Sequence, residues 1–252
     1  MPVKYKRIKL KMLTDDLFDD FDRHQEVTKV YRAKDGKWLI VDDVFTEEWD
    51  NIKKLQLTEY IRTLIEQKAI FYGAFSGKKL VGITGVINGL FGSAKQYAKL
   101  AMIYVSASER GKGIGKELFM LAASSAESMG AKKLYITGHS AVETQDFYRA
   151  MGCVETMEYD PKYLQNEPKS VHLEYDLNAE SRFTSLFMAL GMIVGICLGV
   201  TYGNKAPIFM CLGMAVGVAF GMFLDNSNKK ESKEHKGTKI KEGGETHHPD
   251  NL

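Results

Sequence analysis

One segment limits the possible folds of this chain more than any other: a strand, a glycine-rich basic loop and a helix follow one another directly. Its sequence is IYVSASERGKGIGK, from Ile103 to Lys116. Such a junction directs several backbone N–H groups and the positive end of the helix at one point, which suits a pyrophosphate. The glycines let a ligand approach the backbone, and Arg110, Lys112 and Lys116 add positive charge.

Two common phosphate-binding motifs fail on spacing. The P-loop requires Gly where Arg110 stands and Ser or Thr where Glu117 stands, and the dinucleotide fingerprint requires Gly where Lys116 stands. For the loop taken alone, an ordinary glycine-rich turn remains an alternative.

The pattern around the loop predicts a mixed α/β (α+β) domain, because a β-meander passes into alternating helices and strands. The first part should contain a strand at Tyr5–Leu10, a short acidic helix at Thr14–Arg23, a hairpin of Val27–Ala33 and Trp38–Phe45 turning at Asp35-Gly36, and an amphipathic helix at Glu47–Gln67. The rest should contain the antiparallel strands Ala69–Ala74, Leu80–Ile87 and Lys99–Ser106, a helix at Gly113–Met129, a strand at Lys133–Thr137, a helix at Glu143–Met151 and a strand at Val171–Leu177.

A second motif lies about thirty residues after the loop. The run Arg110-x-x-Gly113-x-Gly115 resembles the acetyl-CoA pyrophosphate motif of the GNAT N-acetyltransferase superfamily. The segment ETQDFYRAMGC, Glu143 to Cys153, resembles that superfamily's "FYxxxGF" helix, and the intervening strand is where the GNAT fold requires one. The resemblance covers roughly residues 1–178.

This resemblance implies a GNAT fold, whose central, mostly antiparallel sheet is splayed and flanked by helices, and acetyl transfer from acetyl-CoA to an amine without a metal. It implies that the strands at Ile103–Val105 and Leu134–Gly138 diverge, with the pantetheine arm between them. By the same resemblance the cofactor is held by Ile103, Tyr104, Val105, Arg110, Gly111, Lys112, Gly113, Ile114, Gly115 and Lys116. Tyr148 matches the residue that protonates the departing thiolate, although a core tyrosine is the alternative.

The sequence defines the residues that would bind and deprotonate the acceptor amine less clearly. The superfamily's helix often begins "NxxA", whereas Ala141 and Thr144 stand here, and Ser140 with Glu143 predicts a capping box instead. His139 is a candidate base at the mouth of the cleft, with a structural histidine equally plausible. The acids of residues 15–22 and 42–48 are either a solvated face or a binding surface for a cation. The hairpin from Val27 to Phe45 is similar in layout to streptothricin-type acetyltransferases, which suggests a cationic small-molecule acceptor.

The second part of the chain is apolar. Phe183 to Asn204 gives 22 residues without a charge and Ala206 to Leu224 gives 19 more, joined by a short turn. Each run nearly matches a hydrocarbon core of about 30 Å, so we expect a transmembrane helical hairpin at residues 183–203 and 206–224. Glycines spaced by four in both runs favour close helix packing, within the hairpin or between copies of the chain in a homo-oligomer. A buried soluble hairpin is the alternative.

Composition and charge distribution indicate the partners and the location of the protein. The net charge of +2 gives no footprint for nucleic acid, and three cysteines are too few for a disulfide scaffold. Basic residues flank the apolar runs, so we expect a multi-pass protein of the cell membrane with both termini in the cytoplasm, a GNAT domain at residues 1–181 and a disordered charged tail at 225–252. The predicted activity is direct acetyl transfer to a primary amine. The alternatives are a membrane-tethered acetyl-CoA sensor or scaffold without turnover and a protein-lysine acetyltransferase.

Overall fold

The computed structural model describes residues 2–34, 37–177, 182–201 and 208–221. The chain divides into two compact units, Met1–Leu177 and Asn178–Leu252. Predictions for the Asp35-Gly36 turn and the tail at 225–252 fall outside the described residues.

The first unit contains nine strands and four α-helices among its described residues. The strands are β1 (Val3–Arg7), β2 (Gln25–Lys34), β3 (Lys37–Glu47), β4 (Ile70–Ser76), β5 (Lys79–Val86), β6 (Tyr97–Val105), β7 (Lys133–Gly138), β8 (Val154–Glu155) and β9 (Val171–Asp176). The helices are α1 (Asn51–Glu66), α2 (Ile114–Ser128), α3 (Val142–Ala150) and α4 (Pro161–Asn166), with 3₁₀ turns at Leu10–Met12 and Ala107–Glu109.

Seven strands form the central sheet, in the order β1-β4-β5-β6-β7-β9-β8. Every neighbouring pair is antiparallel except β6 and β7, which are parallel. This arrangement confirms the mixed α/β class and the mostly antiparallel sheet flanked by helices. Beside it, β2 and β3 form a separate antiparallel hairpin, as the alternation of their residues predicts.

Apolar residues cover both faces of the sheet. On one face, Phe119 and Ala122 of α2 pack with Leu134 and Ile136 of β7. On the other face, Ile61 of α1 packs with a cluster that includes Phe71 and Ile83. The N-terminus of α1 is capped by Asp50, whose side chain accepts the Lys53 N–H at 2.7 Å.

The predicted acidic helix at Thr14–Arg23 is wrong. Residues 15–20 form turns instead, with i to i−3 backbone hydrogen bonds such as Leu17 N–H to Thr14 O at 3.1 Å. Asp is a poor helix former that favours turns, and five of these ten residues are Asp. The turns bury both Phe18 and Phe21, which pack against Trp49.

The second unit contains α5 (Arg182–Thr201) and a further helical stretch at 208–221. A Cβ placed on Gly191 would lie 2.1 Å from the carbonyl oxygen of Gly213, and one on Gly195 would lie 2.1 Å from that of Phe209. The glycines therefore permit the close backbone approach that their spacing predicts. No helix among the described residues is long and apolar enough to cross a membrane. The predicted transmembrane hairpin is therefore not supported, and the ends of both predicted spans lie outside the described residues.

Candidate active site

A cleft opens where two neighbouring strands of the sheet part. The ladder between β6 and β7 joins Tyr97–Lys99 to Lys133–Tyr135, whereas β6 continues to Val105 and β7 to Gly138. The cavity between the diverging strands measures about 590 Å³, which is within the usual range for small-molecule sites. Of the predicted site residues, the cleft is lined by Ile103, Tyr104, Val105, Arg110, Gly111, Gly113, Gly115, Lys116, His139 and Tyr148.

Backbone groups of β6 line one wall of this cleft. Ser106 donates its N–H to Val81 on the β5 side at 2.9 Å. Hydrogen-bonding direction alternates along a strand, so the polar groups of Tyr104 face β5 and those of Ile103 and Val105 face the gap. The Val105 carbonyl accepts a hydrogen bond from Arg110 Nε at 3.2 Å. The diverging strand thus leaves polar backbone for an extended ligand.

The glycine-rich loop closes one end of the cleft. Gly111 has φ +74° and Gly113 has φ +81°, conformations in which a side chain would be strained. A Cβ at either position would meet nothing within 4 Å, so the space beside the loop is open. The N-cap of the helix that starts here is Gly113, which has no side chain to cap it, and this leaves the first N–H groups of α2 for an anion. These features fit the pyrophosphate of a nucleotide cofactor.

Two residues predicted for the cofactor site do not line the cleft. Ile114 is 3% exposed and packs in a core cluster with Leu118. Lys112 is exposed and pairs with Glu109 at 3.1 Å. Their backbone belongs to the loop and the first turn of α2, but their side chains face elsewhere.

Tyr148 is buried on α3 and lines the cleft. Its ring packs beside Phe119 and Phe147, and Phe147 lies close to the first turn of α2 at Gly115. Burial raises the pKa of the Tyr148 phenol, so the hydroxyl keeps its proton at physiological pH. A protonated phenol in a cleft is able to donate a proton to a developing anion.

His139 lies in the cleft, but neither of its ring nitrogens is free. Nδ1 accepts the Ala141 N–H at 3.1 Å, so in the neutral ring the proton is on Nε2, which is 3.4 Å from Glu47 Oε1. Burial lowers the pKa of His139, which keeps the ring neutral, although the Glu47 charge acts in the opposite direction.

The other carboxylate oxygen of Glu47 accepts a hydrogen bond from Arg23. The Arg23 side chain is 9% exposed, and its guanidinium lies 5.2 Å from the centre of the Tyr104 ring. No pattern in the sequence indicated Arg23, because its partner is 24 residues away on β3 and its place in the cleft lining depends on tertiary packing.

The predicted capping box before α3 is wrong. The N-cap of this helix is Ala141, whose side chain makes no capping hydrogen bond. The Ser140 hydroxyl instead accepts a hydrogen bond from Arg32 Nη1 at 2.6 Å, and the Ser140 carbonyl accepts the Tyr31 N–H at 2.8 Å. The Ser140 hydroxyl is therefore bonded to a charged donor from β2 and does not cap α3. This bond joins the β2–β3 hairpin to the loop that holds His139.

A buried cation that the sequence did not reveal lies beside the cleft, bonded to two residues that line it. Lys99 is the last β6 residue paired to β7, is 4% exposed, and donates from Nζ to Leu100 O at 2.9 Å and Thr137 Oγ1 at 2.7 Å. Burial lowers the pKa of Lys99 to about 8. Thr137 itself lines the cleft, as does Glu167, which follows α4. The sequence signal for α4 is Asp160-Pro161, a helix N-cap followed by proline at the first position.

Within the described residues, no group of three or more His, Cys, Asp or Glu side chains is placed to hold a metal ion.

A sequence model of the family described as Acetyltransferase (GNAT) domain matches residues 28–175. This match covers more than half of the chain, and the chain belongs to the GNAT acetyltransferase family. No protein with a curated description matches the sequence.

Solved structures show the same fold. The crystal structure of a nourseothricin acetyltransferase has a TM-score of 0.51 at 17% identity and covers 70% of this chain and 99% of its own. A Bacillus anthracis protein assigned as a streptothricin acetyltransferase, solved with acetyl coenzyme A, has a TM-score of 0.51 at 19% identity and covers 69% of this chain and 96% of its own.

Proposed function

We propose that this chain is an acetyl-CoA-dependent N-acetyltransferase that moves the acetyl group directly to a primary amine. The observation that carries the proposal is the position of Tyr148, a buried and protonated phenol, in the same cleft as the open Gly111–Gly113 loop. Acetyl-CoA supplies the activated thioester. The first N–H groups of α2, with Arg110 and Lys116, bind its pyrophosphate.

The backbone of Ile103 and the N–H of Val105 orient the pantetheine arm between β6 and β7, since the Val105 carbonyl already accepts from Arg110. The amine nitrogen attacks the thioester carbonyl, a C–N bond forms, and the C–S bond breaks. A backbone N–H near Val105 polarises the carbonyl oxygen during the attack. Tyr148 donates its proton to the departing sulfur, and free CoA thiol leaves.

The proton lost by the amine passes to the pair of Glu47 and His139. Both nitrogens of His139 are engaged, so the Glu47 carboxylate accepts this proton. The neutral imidazole of His139 positions the carboxylate. The 3.4 Å separation between the Glu47 oxygen and His139 Nε2 is longer than a good hydrogen bond, which makes this contact the easiest to open for an incoming ammonium group. Glu143 and Glu167, which line the cleft, favour a cationic acceptor.

Two substitutions test these roles. Tyr148→Phe should lower kcat by about 10²-fold or more, the usual range for a general acid, without weakening acetyl-CoA binding measured by calorimetry. The matched control is Tyr72→Phe on β4, outside the cleft lining. An unchanged kcat in Tyr148→Phe would mean that Tyr148 only packs in the core and does not act as the general acid.

Glu47→Gln should lower kcat most at low pH, where more of the acceptor amine carries the proton that must be removed. The neighbouring Glu48→Gln is its control, because Glu48 contacts His24 and not His139. Equal effects of the two substitutions across pH would remove Glu47 from the mechanism.

A further inference from the structure

A second cavity of about 280 Å³ is lined by α3 residues other than those that line the cleft. Its walls come from three parts of the first unit: Tyr31 and Trp38 of the β2–β3 hairpin, Gln145 and Arg149 of α3, and residues of β8 and β9 that include Glu155 and Leu173. Aromatic rings and aliphatic side chains thus enclose a space with a few polar groups, which is the usual composition of a small-molecule site.

Gln145 is a buried polar residue of the cavity wall. Its side chain is 1% exposed and donates from Nε2 to the His139 carbonyl at 2.8 Å. Its Oε1 is buried and has no hydrogen-bond partner anywhere in the part of the chain that the structure describes. One water occupies ~30 Å³ in the liquid, so the cavity is much larger than a single water requires.

Two opposite charges also line the cavity. Glu155 accepts hydrogen bonds from Trp38 Nε1 at 3.1 Å and from the Tyr159 hydroxyl, which fix its carboxylate beside the indole. The Arg149 guanidinium lies 4.6 Å from the centre of the Tyr31 ring and donates to the Tyr31 hydroxyl from one terminal nitrogen. Its Nη1 also lies 3.9 Å from Asp146 Oδ1. A guanidinium has five N–H donors, so Arg149 retains donors for a further anion.

We propose that this cavity binds a small zwitterion of the size of a free amino acid. The ammonium group is recognised by Glu155, the carboxylate by Arg149, and an aliphatic side chain by Trp38 and Leu173. The inference is independent of the proposed acetyl transfer, because none of these four residues lines the cleft that holds Tyr148.

Three ligands of nearly equal apolar size test the charge requirement by calorimetry on the full chain. Leucine carries both charges, isoamylamine lacks the carboxylate, and N-acetylleucine lacks the ammonium group. We expect leucine to bind at least tenfold more tightly than either of the other two. No binding of leucine at millimolar concentration, or equal binding of all three, would overturn the proposal.

Two variants locate the binding. Arg149→Gln should weaken leucine binding at least tenfold and change isoamylamine binding less than twofold, whereas Glu155→Gln should weaken both. Lys169→Gln is the control, because this exposed lysine is outside the cavity lining. Leucine binding that survives both cavity substitutions would place the ligand elsewhere and contradict the assignment.

These measurements need no turnover. A chain that binds leucine in this way but transfers no acetyl group would overturn only the proposed activity, and an active chain that does not bind leucine would overturn only the second site.

Discussion

Replacing Lys99 by Met should change the pH dependence of stability in a defined direction. The ammonium group is buried beside the cleft, and this burial lowers its pKa from 10.5 to about 8. The difference of about 2.5 pH units corresponds to roughly 3 kcal/mol, at ~1.36 kcal/mol per unit. This is the free energy that the folded protein loses at neutral pH by keeping the buried lysine charged.

The sign follows from proton binding. Below pH 8 both the folded and unfolded states hold the proton, and the cost is present in full. Between about pH 8 and 10.5 the folded state releases the proton while the unfolded state keeps it, so stability rises with pH. Above 10.5 both states are neutral, and the contribution of Lys99 no longer changes.

Urea denaturation of the full chain at pH 7, 8.5 and 10 measures this effect. The free energy of unfolding of the wild type, minus that of Lys99→Met, should rise by about 2–3 kcal/mol across the series. Subtracting the variant removes the contribution of other titrating groups, and the exposed Lys132→Met is the control, with a difference that stays constant. A difference for Lys99→Met that is flat, or that falls with pH, would refute the reasoning.

Three further predictions concern the loop, the helix pair and the buried thiol. Gly113→Ala should weaken acetyl-CoA binding measured by calorimetry, because an L-residue at φ +81° is strained by about 1 kcal/mol and would disturb the start of α2. Unchanged affinity would contradict the assigned pyrophosphate site. Gly213→Leu should lower the helix content measured by circular dichroism, since even a Cβ there would lie 2.1 Å from the Gly191 oxygen, whereas the exposed Val216→Leu should not. Cys153 is buried, and burial raises its thiol pKa to about 12. It should therefore react with a thiol reagent at pH 8 only after unfolding. Rapid reaction in the native Cys197→Ser/Cys211→Ser chain would disprove this.

The sequence was most informative where local chemistry determines structure. The alternation of β2 and β3, the meander of β4 to β6 and the glycine-rich start of α2 follow from short-range patterns, and the structure contains all of them. Because two family motifs occur in the right order, they also indicated the GNAT fold, which the family match shows.

Prediction from the sequence failed where residues far apart in the chain determine the local structure. The Ser140 hydroxyl was predicted to cap α3 but bonds Arg32, which is 108 residues away, and the run at Thr14–Arg23 bends so that two phenylalanines enter the core. Lys99 looked like an ordinary strand residue, and only the divergence of β6 and β7 explains its burial. The cell-membrane location and the cytoplasmic termini stay predictions, which fractionation and protease protection of the full chain would test.

The central claim is tested most directly by release of CoA from acetyl-CoA, followed with a thiol reagent. The full chain would be mixed with spermidine, an aminoglycoside, streptothricin or a lysine peptide, and the reaction without acceptor would correct for the chain's own cysteines. We predict CoA release that depends on one class of amine and that falls at least 10²-fold in Tyr148→Phe. Tight binding of acetyl-CoA with no amine-dependent release would contradict the claim and indicate a sensor of the cofactor.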